Sequence, residues 1–140
     1  MGYFETDVAV RYRDLDTYGH VNNAVYVTYC ETARVAFLRE LFDRTFDDLE
    51  HGFVVAHVEV DYRRPIGDVE SVAVRVAVDH VGTTSFTTSY ELLVDDETVA
   101  TAETVQVVVD PDTRETRPVP DEWREVFARY SGDGDVAADD

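Results

Sequence analysis

The sequence contains one cysteine, Cys30, and no lysine at all. A single cysteine excludes an intrachain disulfide and any zinc site built from several thiolates. No run of about 18 apolar residues occurs, so no helix is expected to span a membrane. Seven dispersed glycines make no phosphate-cradling loop, and there is no Gly-x-Ser-x-Gly elbow. The opening residues Met1-Gly2-Tyr3-Phe4-Glu5 lack the basic and apolar blocks of a secretory signal. The expected compartment is therefore the cytoplasm.

Positive charge is scarce. Twelve basic residues, all arginine, face thirty acidic ones, for a formal net charge of −18. Phosphate backbones need a basic face, so nucleic acid is excluded as a partner, and anionic membranes are repelled. Two explanations compete for the acidity: an acidic interaction protein, or a protein adapted to molar salt. The acids are spread along the whole chain between regular apolar positions. That favours salt adaptation, where self-repulsion is screened.

What is present fits one domain of 140 residues, 44% of them hydrophobic. Val8, Val10 and Tyr12 alternate, predicting a strand over 6–13, followed by a polar turn over 14–23. From Val25 the period changes to the helical one. Val25, Tyr29, Ala33, Phe37 and Leu41, with Tyr26 and Ala36 alongside, make one apolar stripe. Asn22 or Asn23 would cap this helix. A polar connection over 42–52 leads to strands over 53–62, 72–78, 86–94 and 99–109, with a tight turn at Asp95-Asp96. Short links between them imply an antiparallel meander. Trp123, Val126 and Phe127 would dock a short amphipathic segment over 121–130. Residues 1–130 then form a single domain. Residues 131–140, with two glycines and four aspartates, read as a disordered acidic tail. The class is α+β: five antiparallel strands and one long helix. One helix covers only one sheet face, which predicts a homodimer or homotetramer.

The stretch Asp14-Leu15-Asp16-Thr17-Tyr18-Gly19-His20-Val21-Asn22-Asn23-Ala24-Val25-Tyr26 resembles the 4-hydroxybenzoyl-CoA thioesterase family of hotdog proteins. It is also similar to plant acyl-carrier-protein thioesterases, which carry Asp-Leu-Asp followed by His-Val-Asn-Asn but have Asn where Tyr18 stands. Tyr29-Cys30-Glu31-Thr32-Ala33-Arg34, Tyr62-Arg63-Arg64-Pro65 and Gly82-Thr83-Thr84-Ser85-Phe86 extend the resemblance over roughly residues 5–110. It implies a five-stranded antiparallel sheet wrapped around the helix, and hydrolysis of an acyl-CoA to free acid and CoA. It further implies Asp16 as the catalytic carboxylate and the Asn23 backbone N–H as oxyanion donor.

Thioester hydrolysis needs a base or nucleophile and an anchor for the carbonyl oxygen. A carboxylate beside a helix N-terminus provides both, because the first N–H groups are unsatisfied and partly positive. Gly19 would let backbone and acyl chain approach closely. His20 would polarise water or orient substrate, or instead make a structural hydrogen bond. Tyr26 joins the candidate substrate contacts. Arg63 and Arg64 would meet the phosphates of coenzyme A or pair with nearby acids. Thr83, Thr84 and Ser85 would contact pantetheine or shape a turn. Glu31 and Arg34 read as an ion pair on one helix face, with Glu31 a reserve carboxylate. Asp14 reads as a turn residue and Cys30 as a small helix residue. His57 and Glu59 share a strand face without a third ligand, so neither metal nor cofactor is expected.

A hotdog hydratase would show Asp and His five apart with Asn-Pro between; Asp16 and His20 are four apart with no proline. A non-catalytic acyl-CoA-binding protein would need no carboxylate at Asp16. Hydrolysis of a carrier-protein thioester also stands as an alternative. The charge generates one test: circular dichroism melts should give a higher midpoint in about 2 M than in about 50 mM potassium chloride. Equal stability in both would refute salt adaptation.

Overall fold

The computed structural model describes residues 2–42 and 51–131. Strands β1 (Phe4–Ala9), β2 (Gly52–Tyr62), β3 (Ser71–Val81), β4 (Ser85–Val94) and β5 (Glu97–Val109) form one antiparallel sheet. Helix α1 (Val25–Phe42) and short helix α2 (Asp121–Phe127) pack on it. The expected tail, beyond Ser131, and most of the connection before β2 lie outside the described residues.

Valine alternation defines the inner sheet face. Val72, Val74, Val76 and Val78 on β3 are all buried, and the register sets them beside Leu92, Tyr90 and Thr88 of β4. Each such side chain contributes roughly 1.5–3 kcal/mol of burial. Tyr26, Tyr29, Cys30, Ala33, Phe37 and Leu38 of α1 close over this face. The helix stripe therefore runs through Cys30 and Leu38 as well as the expected Tyr29, Ala33 and Phe37. At the far end of the sheet, Trp123 and Phe127 of α2 pack on Phe86 at 6.2 and 4.7 Å between ring centroids.

Three expectations change. The first strand stops at Ala9, because the carboxylate of Asp14 accepts the Arg11 N–H at 2.8 Å and pulls Tyr12–Asp14 into a 3-10 turn. Tyr12 is left exposed rather than continuing the alternation. Secondly, only β3, β4 and β5 form a meander. The sheet order is β1-β3-β4-β5-β2, so β2 crosses to pair with β5 at the far edge. The link from β2 to β3 contains Pro65, which cannot donate to a ladder, and Ile66, which is buried.

Thirdly, Arg34 does not stand on the surface with Glu31. It turns into the core at 6% exposure and donates to the Tyr90 hydroxyl at 3.2 Å, while Glu31 remains exposed. A helix residue three positions on from an exposed one can face either way, and here the facing sheet offers an acceptor. The tight turn at Asp95-Asp96 is as expected, with both residues at positive φ (52° and 67°) as a two-residue hairpin turn requires.

Candidate active site

The loop between β1 and α1 is built on Asp14. Its side chain is buried at 2% exposure and accepts from the Arg11 N–H and the Tyr29 hydroxyl, each at 2.8 Å. Its backbone carbonyl accepts the Asn22 N–H at 2.9 Å. Burial pushes the Asp14 carboxyl up. The Arg11 N–H, the Tyr29 hydroxyl and the Arg11 guanidinium together outweigh that and hold it below the usual carboxylate range.

Beyond Asp14 the chain folds back on itself. Leu15 and Val21 bridge, and Asp16 N–H donates to the His20 carbonyl at 2.7 Å. Gly19 turns the corner at φ +79°, where a side chain would be strained. Val21 is buried, and its N–H donates to the Ile66 carbonyl at 2.8 Å, tying this loop to the β2–β3 link.

The Asp16 carboxylate is exposed at the loop tip. Its Oδ1 accepts the Tyr18 and His20 backbone N–H groups at 2.8 and 3.1 Å. The His20 N–H, then the Tyr18 N–H, hold its pKa below the ordinary value. Asp16 is thus ionised and oriented through one oxygen, with Oδ2 turned to no donor among the described residues.

The helix start follows directly. Asn22 makes the cap: its Oδ1 accepts the Ala24 N–H and its carbonyl the Val25 N–H, both at 2.9 Å. The Asn23 carbonyl accepts the Tyr62 hydroxyl at 2.8 Å. Among the described residues the Asn23 N–H meets no acceptor.

Tyr26 is buried against Tyr62, its hydroxyl on the Arg64 carbonyl at 3.3 Å. Arg63 and Arg64 stand exposed at the same end of the sheet, and Arg64 pairs with Glu97 at 3.3 Å. One end of the fold therefore gathers Asp16, Gly19, His20, Asn23, Tyr26, Arg63 and Arg64. Thr83, Thr84 and Ser85 are not brought there within the chain. They follow β3 at its opposite end, about 33 Å along the strand from Ser71. That turn is held by the C-terminal segment: Val119 N–H donates to the Thr83 carbonyl at 2.8 Å and Arg124 to the Gly82 carbonyl at 2.6 Å. Burial pushes the Cys30 thiol up to about 12, which leaves it inert as a nucleophile.

Sequence reasoning missed the structural work of Asp14, Ile66 and Tyr62. Tyr62 alone had a signal, as an aromatic closing a strand just before Arg-Arg-Pro.

A sheet of this order packed on one long helix is matched elsewhere. Residues 10–127 match the Thioesterase-like superfamily. The chain belongs to that family. It is on that membership a thioester hydrolase with a hotdog fold. A 1,4-dihydroxy-2-naphthoyl-CoA hydrolase of Synechococcus elongatus is 26% identical over 137 residues, 91% of this chain and 99% of that protein. An uncharacterised Bacillus subtilis protein, YsmA, is 30% identical over 87 residues, spanning 62% of this chain and 58% of that one. A solved thioesterase-superfamily structure from Jannaschia sp. CCS1 superposes with TM-score 0.81 at 27% identity, covering 92% of this chain and 83% of that one. The resemblance in the loop and helix is thus to the superfamily at large, and not to its 4-hydroxybenzoyl-CoA branch in particular.

In this thioesterase the loop depends on Asp14. Asp14→Ala would strand the Tyr29 hydroxyl and the Arg11 N–H, costing on the order of 2–3 kcal/mol in urea unfolding. Asp14 has a depressed folded pKa, so its contribution is present above the unfolded pKa and lost as pH falls through the folded one. The variant should lack that part of the acid limb. A variant as stable as its parent would show that Asp14 anchors nothing.

Proposed function

We propose that this chain hydrolyses acyl-CoA thioesters to the free acid and CoA, with Asp16 as the reacting carboxylate. The observation that carries the reading is the pairing of an ionised, pre-oriented Asp16 with the unoccupied Asn23 N–H at the start of α1. The amide would receive the thioester oxygen as it gains charge, an interaction worth a few kcal/mol per donor. Asp16 Oδ2 would attack the carbonyl carbon, or take the proton of an attacking water. The lowered pKa keeps Asp16 ionised, the form that either route needs. In that route the C–S bond breaks, CoA thiolate leaves and takes a proton, and water cleaves the mixed anhydride. His20, exposed beside Asp16, would orient that water.

Coenzyme A is favoured over a carrier protein by charge. Arg13 and Arg63 are exposed in the loop and link at this end, beside Arg11 and Arg64, which pair with Asp14 and Glu97. They would meet phosphates, while a net charge of −18 repels an acidic carrier. The naphthoyl-CoA hydrolase among the relatives is consistent with a CoA substrate.

A homodimer formed through β2 completes the reading. This edge strand has eleven residues, and among the described residues nothing pairs with its outward ladder. Asp16, His20 and Asn23 are all exposed, so a second copy would supply the walls that exclude water.

Asp16→Asn keeps shape but cannot attack or accept a proton. Thiol release should fall by about 10²–10⁴ in a protein that still melts cooperatively, whereas Glu31→Gln should cost far less. A folded Asp16→Asn protein with parental turnover removes the proposal, and a dead Glu31→Gln moves the carboxylate to the helix. Light scattering should report a dimer or tetramer in high salt; a monomer alone would contradict the assembly.

A further inference from the structure

Helix α1 has a second face. Opposite its buried stripe, Thr28, Glu31, Val35 and Arg39 recur at three- and four-residue steps and line one side of the helix. Thr28, Glu31 and Arg39 are exposed. Val35 and Ala36 between them are half-buried, and neither belongs to the core. The Thr32 hydroxyl donates to the Thr28 carbonyl at 3.0 Å, so it is satisfied within the helix and needs no water. A shallow recess runs along Glu31, Thr32, Val35, Ala36 and Arg39. Among the described residues Glu31 and Arg39 meet no opposite charge.

The spacing on this face is symmetric. Glu31 and Arg39 each stand four residues from Val35, about 6 Å along the axis on either side. A second copy of the helix laid antiparallel across Val35 therefore sets Glu31 against the second copy's Arg39, and Arg39 against its Glu31. That is the self-complementary pattern of a two-fold interface, with Val35 on Val35 at the axis. The small side chains of Thr28, Thr32 and Ala36 let the two backbones approach. The two charges cancel, so this face escapes the repulsion that a formal net charge of −18 imposes elsewhere.

The outer face of the sheet, the other broad surface, differs. Glu5, Asp7, Glu59, Asp61, Glu91 and Glu103 point outward there. Arg75 pairs with Glu5 and Glu91, but Glu59 stands directly opposite Glu103. Burial, then Glu59 and Asp79, push the Glu103 carboxyl up. A second sheet laid on this face would bury those carboxylates against their own kind. We propose that a second copy of the chain docks on the outward face of α1, antiparallel and centred on Val35. Val35 supplies the apolar contact, while the two Glu31–Arg39 pairs fix direction and register. This contact is separate from the β2 edge and does not depend on the reaction. Used together, the two contacts make a tetramer from a pair of β2-linked dimers.

The test is light scattering on the full chain in about 2 M potassium chloride, and again at the lowest salt at which circular dichroism shows it folded. Val35→Arg places two like charges and two long side chains on the axis, and should halve the assembled mass at both. A fall from four chains to two shows that β2 pairs as well; a fall from two to one shows that it does not. Glu31→Arg and Arg39→Glu should each halve the mass at the lower salt, where charge is least screened. The double exchange Glu31→Arg with Arg39→Glu should restore it. A folded Val35→Arg protein of parental mass overturns the proposal, and so does a wild-type protein that stays a single chain. Single exchanges of parental mass, or a double exchange no heavier than the single ones, overturn it equally. Should Val35→Arg fail to fold, the exchange series decides.

Discussion

The Tyr29 hydroxyl on the Asp14 carboxylate is the contact on which the site depends. It joins the second turn of α1 to the loop that precedes the helix. Asp14 then serves that loop twice, through its side chain to Arg11 and through its carbonyl to Asn22. Asp16 stands two residues from this anchor and Asn23 one residue past the other strand of the loop. The separation of the Asp16 carboxylate and the Asn23 amide is therefore set by a buried residue, Asp14. Val21 on the Ile66 carbonyl adds a second tie, from the loop to the β2–β3 link.

Periodic features were legible before the fold was seen. The helix from Val25, the alternating valines of β3 and the Asp95-Asp96 turn each depend on residues close in sequence, and each stands where patterning put it. The loop motif was legible for a related reason, since the bonds of Asp16 to Tyr18, Gly19 and His20, and those of Asn22 to Ala24 and Val25, span four residues or fewer. What stayed hidden needed a distant partner. Arg34 looked like half of a surface pair because Tyr90, 56 residues away, cannot be seen along the helix. Asp14 looked like an ordinary turn residue because Tyr29 lies fifteen residues on.

Topology was hidden for the same reason. Short links suggested that β2 would lie beside β3, but its inward residues match β5 instead. That crossing delivers Tyr62 to the helix start and leaves Val55 and Val58 beside the helix without cover. It also separates Thr83, Thr84 and Ser85 from the loop, although all had been grouped by resemblance. Linear order says which residues share a motif; strand order says which share an end of the sheet.

The Asp95-Asp96 turn has a consequence for how the hairpin is held. Both residues sit at positive φ; aspartate suits the first such position, and Asp96 stands where such a turn usually recruits glycine. Two carboxylates also stand side by side at its tip. The missing glycine at Asp96 and the two charges oppose closing it, although it joins two strands at the middle of the sheet. The turn then contributes little to holding the two strands together. The hairpin draws its stability from the packed pairs behind it, Leu92 opposite Ala100 and Tyr90 opposite Ala102. The strands therefore hold the turn closed, and not the turn the strands.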